Sequence, residues 1–297
     1  MPRSHGAPPL ETLVRDACAG STQPLQDLLL RRGGLPGPRP NLKLALAAAH
    51  ALAGQGEAGR ALIDRFRSLD DRAAPSGSAH PILSIVGVLG LGSIAARKDE
   101  TAQRAAIVRA LQDHAEDPRR EVRDAVAAAL GLILRTNPEE TLDALSSWTD
   151  GYLHAEVALR ALSEESLLQQ IGDPLPALSR VQEAFALIAQ APRAHQRSQG
   201  YRSLLRTLTA TLVALGRRFP HATAQWLQEN VDIATEDLRA VLSEALEQLR
   251  SAGLRAGDAE AVTAALEATV EPPRDPRWDV GPTRGRGKKA RKKGRRR

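Results

Sequence analysis

The sequence has 297 residues, of which 42% are hydrophobic and only 3% aromatic, and its formal net charge is +6. The one cysteine, Cys18, excludes an internal disulfide and a cysteine-based metal cluster. Alanine and leucine dominate the apolar residues, and both favour helices, whereas strands are rich in β-branched and aromatic residues. This composition predicts an all-α protein.

Two further absences narrow the class of protein. The first residues lack the apolar run of a signal peptide, and the most apolar stretch, Ile82 to Ala96, is shorter than a bilayer span. The seven histidines are too widely spaced to bind a metal ion together, and no nucleotide-binding glycine motif occurs. We therefore expect a cytoplasmic protein with no membrane span and no cofactor.

The predicted elements form a succession of helices separated by Pro, Gly and Asp residues. In chain order they cover residues 9–19, 22–32, 41–54, 57–70, 81–97, 100–116, 119–136, 138–149, 152–171, 175–191, 201–219, 221–231, 235–252 and 258–270. No segment alternates between apolar and polar residues as a half-buried strand does.

The clearest internal repeat lies between Thr101 and Thr136. The pair Asp117-Pro118 separates its two helices, because proline cannot extend a helix but suits the first turn of the next one. The second helix places apolar residues three and four positions apart, as a helix with one buried face does. These residues are Val122, Val126, Ala129, Leu130 and Ile133.

This segment resembles the HEAT repeat, whose second helix typically begins with Asp and Val-Arg and closes with Ala-Leu-Gly. The matching residues here are Asp117, Val122-Arg123 and Ala129-Leu130-Gly131. Degenerate copies are marked by leucines at 52, 89, 130, 162 and 215, with spacings of 37, 41, 32 and 53, against about 40–47 in HEAT and armadillo units. The resemblance to HEAT-like (ARM-type) repeats implies a right-handed α-solenoid of antiparallel helix pairs over residues 1–271. A generic helical bundle is the alternative.

The charge divides the chain more sharply than its total suggests. Residues 274–297 carry twelve lysines and arginines against two aspartates, a net charge of +10, whereas residues 1–273 have a net charge of −4. Repeated prolines and glycines interrupt any helix beyond Glu271. We therefore predict that residues 272–297 are a disordered basic tail.

The tail suits sequence-independent contact with DNA, RNA or a ribonucleoprotein, because clustered cations neutralise phosphates and release their counterions. The predicted nucleic-acid-binding residues are Arg284, Arg286, Lys288, Lys289, Arg291, Lys292, Lys293, Arg295, Arg296 and Arg297. A localisation signal, a contact with anionic lipid and a solubilising terminus are the alternatives.

A second group of arginines lies in a stretch without Asp or Glu, residues 184–228. At ~100° per residue, Arg202, Arg206 and Arg217 fall on the solvent side of helix 201–219. Arg193 and Arg197 would then fall on its apolar side, which predicts a break near Gly200. The arginines either bind phosphates of a nucleic acid or are neutralised by residues 229–271, whose net charge is −7.

Taken together, the sequence predicts a non-enzymatic scaffold that binds a protein partner on the concave face of the solenoid. In the best repeat, the second helix would present Arg119, Arg120, Arg123 and Asp124 on that face.

Two other functions remain open. The resemblance to HEAT-like repeats extends to DNA alkylation-repair glycosylases of the AlkD type, which are built from such repeats. Their catalytic set combines Trp, Asp and Arg residues, and the possible counterparts here are Trp148, Asp150 and Arg160. Alternatively, the protein is an adaptor for proteins only, and its tail docks on the acidic helices of residues 229–271.

Overall fold

The computed structural model describes residues 8–97, 101–232 and 235–269, and within these ranges the chain is all-helical, with no strand. The fifteen helices described are α1 Leu10–Cys18, α2 Gln23–Arg32, α3 Leu42–Ala53, α4 Gly56–Arg67, α5 Pro81–Ala95, α6 Thr101–Ala115, α7 Arg120–Thr136, α8 Pro138–Ala144, α9 Tyr152–Leu162, α10 Glu165–Leu168, α11 Leu175–Ala189, α12 Gln199–Arg218, α13 Pro220–Glu229, α14 Glu236–Ser251 and α15 Ala256–Ala268. Two turns of 3₁₀-helix cover Leu145–Asp150 and Arg193–Arg197.

The predicted helices match these elements closely, with two differences. The single helix expected over 152–171 is divided, because Ser163 ends α9 and Glu164 has an extended backbone before α10 begins. The helix expected over 138–149 tightens into 3₁₀ geometry from Leu145 onward. The predicted break before helix 201–219 is confirmed, since the Ser198 side chain accepts a hydrogen bond from the Tyr201 amide and begins α12.

Six helices form a row in which each packs against the next: α3, α5, α7, α9, α12 and α14. The other large helices lie beside this row. Helix α4 contacts α3 and α5, α6 contacts α5 and α7, α11 contacts α9 and α12, and α15 contacts α13 and α14. One hydrophobic core therefore runs from Leu13 in α1 to Val262 in α15.

Helix α5 is the most enclosed element of the row. All fifteen of its residues are buried, so it has no polar face, and it packs against α3, α4 and α7. Its glycines permit that crowding. A Cβ atom added at Gly87 would lie 2.3 Å from the Arg67 backbone nitrogen, and one at Gly92 would lie 2.8 Å from the Cα atom of Ala129. None of the described helices is both long and apolar enough to cross a membrane.

The segment that resembles a HEAT repeat forms the helix pair α6 and α7, and the predicted apolar residues of α7 are buried. Arg119, immediately before α7, is also buried, with only 3% of its side chain exposed. Its guanidinium donates hydrogen bonds to the Asp117 carboxylate at 2.6 and 2.8 Å and to the Leu69 carbonyl oxygen at 2.9 Å. It also donates to the Ala74 carbonyl and the Ser84 hydroxyl, both at 3.1 Å.

Arg119 is therefore not on the protein surface, where the sequence predicts that it contacts a partner. The physical reason is that the segment after α4 supplies several carbonyl oxygens, which a guanidinium with five donors can satisfy from the start of α7.

The close approach of α5 and α7 can be tested by replacing Gly92 with alanine. The added methyl group meets the backbone of α7, so we expect Gly92→Ala to lower the free energy of unfolding by about 1–3 kcal/mol. Gly257→Ala is the matched control, because a Cβ atom there meets nothing within 4 Å, and its stability should stay constant or rise by up to ~1 kcal/mol. Urea unfolding followed by circular dichroism measures both; equal effects would contradict the close packing.

The structural role of Arg119 can be tested against its neighbour Arg120. Arg119→Met leaves the Asp117 carboxylate and several carbonyl oxygens without their donor, so unfolding free energy should fall by about 3–5 kcal/mol. Arg120→Met removes a side chain that is 79% exposed and should change stability by less than about 0.5 kcal/mol. If Arg119→Met unfolds at the same urea concentration as the wild-type protein, the buried arginine does not hold these segments together.

Candidate functional site

A highly charged cavity opens between α7, α9 and α12, three neighbouring helices of the row. It has a volume of about 620 Å³ and is lined by four arginines, one glutamate and several small polar residues. These residues are Arg120, Arg123, Glu156, Arg160, Ser163, Gln199, Ser203, Arg206, Thr207 and Ala210. We call this cavity the arginine groove.

Two of the arginines that line the groove are exposed cations. Arg120 stands in the first turn of α7, where the Asp124 carboxylate is 3.9 Å away. Arg206 stands in the second turn of α12 and makes no hydrogen bond or ion pair with another residue that the structure describes. The groove thus brings together one residue from each of two clusters that the sequence places more than eighty positions apart.

Arg160 lies between them and is already paired. Its guanidinium donates a hydrogen bond to the Asp124 carboxylate at 2.6 Å and another to the Glu156 carboxylate at 3.3 Å. Burial by itself would lower the pKa of Arg160, but the hydrogen bond and the negative charge of Asp124, with Glu156 beside it, outweigh that effect and raise the pKa. The Arg160 guanidinium therefore stays charged and ties α9 to α7.

The remaining arginine of the groove, Arg123, is largely buried. It donates hydrogen bonds to the carbonyl oxygens of Asp117 at 2.6 Å and Pro118 at 3.2 Å, which close the turn before α7. Of the three arginines predicted to contact a partner, Arg120 is exposed in the groove, Arg123 lines its wall and Arg119 lies inside the protein.

Aromatic contacts position the helix that carries Arg206. The Tyr201 hydroxyl donates a hydrogen bond of 2.7 Å to the Asp237 carboxylate of α14. The Tyr201 ring also packs edge-on against that of Tyr152 in α9, with 5.7 Å between centroids. Burial, together with the bond to Asp237, raises the pKa of Tyr201, so the hydroxyl stays protonated and able to donate. The start of α12 is thus held between its two neighbours in the row.

The predicted nucleic-acid-binding arginines of α12 are all exposed, as their helical phase predicts, but they do not share one site. Only Arg206 lines the arginine groove. Arg202 donates a hydrogen bond to the Arg197 carbonyl oxygen, and Arg217 lines a smaller cavity of about 320 Å³ with Arg218 and Glu165. Contact of these three residues with nucleic acid stays a prediction, and the predicted binding residues from Arg284 to Arg297 lie outside the described residues.

The residues proposed as counterparts of a glycosylase site are not brought together. Trp148 is buried in the 3₁₀ turn before α9. Asp150 lies 2.7 Å from the Nδ1 atom of His154 at the start of α9, whereas Arg160 stands near the other end of that helix, in the arginine groove. Trp148 therefore has no surface on which a base could stack.

Two further cavities adjoin the arginine groove, and sequence reasoning did not predict them. The apolar groove, about 440 Å³ in volume, is lined by Leu42 and Leu46 of α3, Leu89 of α5, Ala127, Ala128, Leu132 and Arg135 of α7, and Arg160, Ala161, Ser163 and Glu164. A loop cavity of about 620 Å³ lies between residues 35–42, residues 76–77 and the start of α7. Leu42 is the sequence signal that could have predicted the apolar groove. It lies at the start of a predicted helix, and its neighbours on the same face of that helix are not polar.

No group of three or more His, Cys, Asp or Glu residues in the described ranges is arranged to hold a metal ion. The single cysteine, Cys18, is half-buried in α1, and burial raises the pKa of its thiol. The residues that line the arginine groove include two serines and one glutamate but no histidine or cysteine.

Comparison with known proteins leaves the family open. No protein-family model matches the chain, and no curated protein matches it. Among solved structures, the chain is similar to an engineered protein whose crystal structure comes from a structural genomics consortium. The two are 16% identical, the match covers 82% of this chain and 97% of that chain, and the TM-score is 0.34. A likeness this distant carries no argument about fold or function.

Proposed function

We propose that this protein is a non-enzymatic helical-repeat scaffold. It would hold a macromolecular partner along the row α3–α14, while its basic C-terminal segment contacts nucleic acid without sequence preference. The observation that carries the proposal is the arginine groove, in which α7, α9 and α12 together present cations and small polar groups to solvent. Such a surface suits binding, because its side chains offer charge and hydrogen bonds over several helices.

The arrangement of the helices supports the right-handed α-solenoid of HEAT-like pairs that the sequence resemblance implies. Each helix of the row contacts the next, and α4, α6 and α11 each bridge two consecutive members. In a solenoid the inner helices form a long continuous surface, so one partner can contact several repeats at once. Residues from α3, α7, α9 and α12 on adjoining cavities fit that description.

The C-terminal segment would add a second, less specific contact. Ten of the fifteen residues from Thr283 to Arg297 are lysine or arginine, and none is acidic. Because the same chain carries both surfaces, binding of the segment to nucleic acid would raise the local concentration of the scaffold near a partner on that nucleic acid. Glycosylase chemistry is disfavoured by the burial of Trp148 and by the separation of Asp150 from Arg160.

The role of the basic segment can be tested by deleting residues 274–297. We expect the truncated protein to lose most of its salt-sensitive affinity for RNA and duplex DNA in a filter-binding assay, because the counterion-release contribution disappears. Helicity measured by circular dichroism should not change. A variant with the residues of 283–297 in shuffled order is the matched control, and it should retain the affinity since the contact depends on charge rather than order.

Undiminished nucleic-acid affinity after the truncation would contradict the role assigned to this segment. If neither the full chain nor the shuffled control binds nucleic acid, the adaptor for proteins only becomes the better account.

A further inference from the structure

Three cavities around α7 form one continuous surface. Arg160 and Ser163 line both the arginine groove and the apolar groove, Leu42 lines both the apolar groove and the loop cavity, and Arg120 lines both the loop cavity and the arginine groove. A ligand on this surface would therefore meet leucines at one side and exposed arginines at the other.

The apolar side contains an exposed leucine, whereas most of the described leucines are buried. Leu42 is 42% exposed, and in the described ranges the other exposed large hydrophobic residue is Leu175. Leu46 and Leu132 are half-buried beside it, over a floor made of Leu89 and Ala127. Exposed leucines above an apolar floor are typical of a surface that a partner covers.

On the other side, in the arginine groove, two arginines are available to a ligand. Asp124 and Glu156 are paired with Arg160, and Glu164 is paired with Arg135 at 2.5 Å. Arg120 has only the Asp124 carboxylate at 3.9 Å, and Arg206 has no partner among the described residues. The surface therefore complements a ligand with a few carboxylates beside an apolar patch.

We propose that this surface binds an acidic amphipathic helix of a partner protein, with its leucine-like side chains on Leu42, Leu46 and Leu132 and its carboxylates on Arg120 and Arg206. The inference rests on the proposed scaffold function and names the chemistry of the partner. A helix suits the site because apolar side chains from adjacent helices form the groove, and the described chain offers no strand edge to which an extended peptide could add.

Nucleic acid fits the same surface poorly. None of the residues that line the three cavities is aromatic, so bases would find no stacking platform. Three exposed arginines, Arg39, Arg120 and Arg206, beside four carboxylates neutralise few phosphates, and the leucines would remain uncovered. The basic C-terminal segment and this surface would therefore take different ligands.

The test uses the full chain and a fluorescent synthetic peptide that forms an amphipathic helix, with leucines on one face and glutamates along its border. Fluorescence anisotropy at physiological ionic strength measures its Kd. The second probe is a peptide of the same length with serine in place of each leucine. The third probe is a single-stranded RNA oligonucleotide with as many nucleotides as the peptide has residues. The basic C-terminal segment is present in every variant, so its attraction for the acidic peptide cancels when variants are compared.

We expect Arg206→Glu and Leu42→Asp each to weaken binding of the leucine–glutamate peptide by about tenfold or more. Arg109→Glu in α6 and Leu175→Asp in α11 are the matched controls, because both residues are exposed and neither lines the three cavities. The controls should stay within about twofold of the wild-type Kd. The serine peptide should bind more weakly than the leucine peptide to the wild-type protein. Unchanged thermal unfolding of Arg206→Glu and Leu42→Asp shows that both variants fold.

Several outcomes would overturn the proposal: no binding of the leucine–glutamate peptide, equal losses in the control variants, or equal affinity for the serine peptide. A larger effect of Arg206→Glu on RNA than on the peptide would assign the surface to nucleic acid instead. Failure of the peptide test leaves the result of deleting residues 274–297 unaffected, and failure of the deletion test leaves the peptide result unaffected, so the two proposals fail separately.

Discussion

The close approach of α5 to α7 is the constraint on which the rest of the structure depends. Because every residue of α5 is buried, other parts of the protein must surround this helix. Helices α3, α4 and α7 pack against it. Where Gly92 meets Ala129, the two helices approach backbone to backbone, which larger side chains would prevent. Because protein interiors are packed as densely as crystals, this contact fixes the position of α7. Residues of α7 line every cavity of the proposed binding surface, so the contact also fixes the position of those walls.

Arginine has two separate uses in this protein. Arg104 and Arg119 are buried and donate to carbonyl oxygens where a helix ends or a turn begins, so they join neighbouring helices in the way that a metal ion or a disulfide would elsewhere. Their guanidiniums also meet carboxylates, Glu140 and Asp117, so their charge is compensated inside the fold. Arg120 and Arg206 instead line an open groove, where the described residues supply little to bind them.

The buried and the exposed arginines would contribute differently to recognition of a ligand. The internal arginines and the paired Arg160 keep the walls of the groove in place, whereas the exposed arginines provide charge that a ligand can meet without displacing a structural contact. A surface of this kind is preorganised, so a partner pays little to order it on binding. The leucines at its other side would supply the desolvated contact that two solvent-exposed ion pairs alone would not give.

The all-helical fold, most helix ends, the break before α12 and the buried face of α7 follow from local patterns in the sequence: proline and glycine positions, the helical phase of Arg193 and Arg197, and apolar spacings of three and four. The exposure of Arg202, Arg206 and Arg217 follows in the same way, since helical phase is a local property. The sequence could not show that Arg119 is buried while Arg120 is exposed, because the carbonyl oxygens that bind Arg119 come from residues 45 to 50 positions earlier. Nor could it show that Arg206 and Arg120 line one cavity or that Leu42 and Arg160 line another, because this depends on which helices pack side by side, and only the tertiary structure decides that.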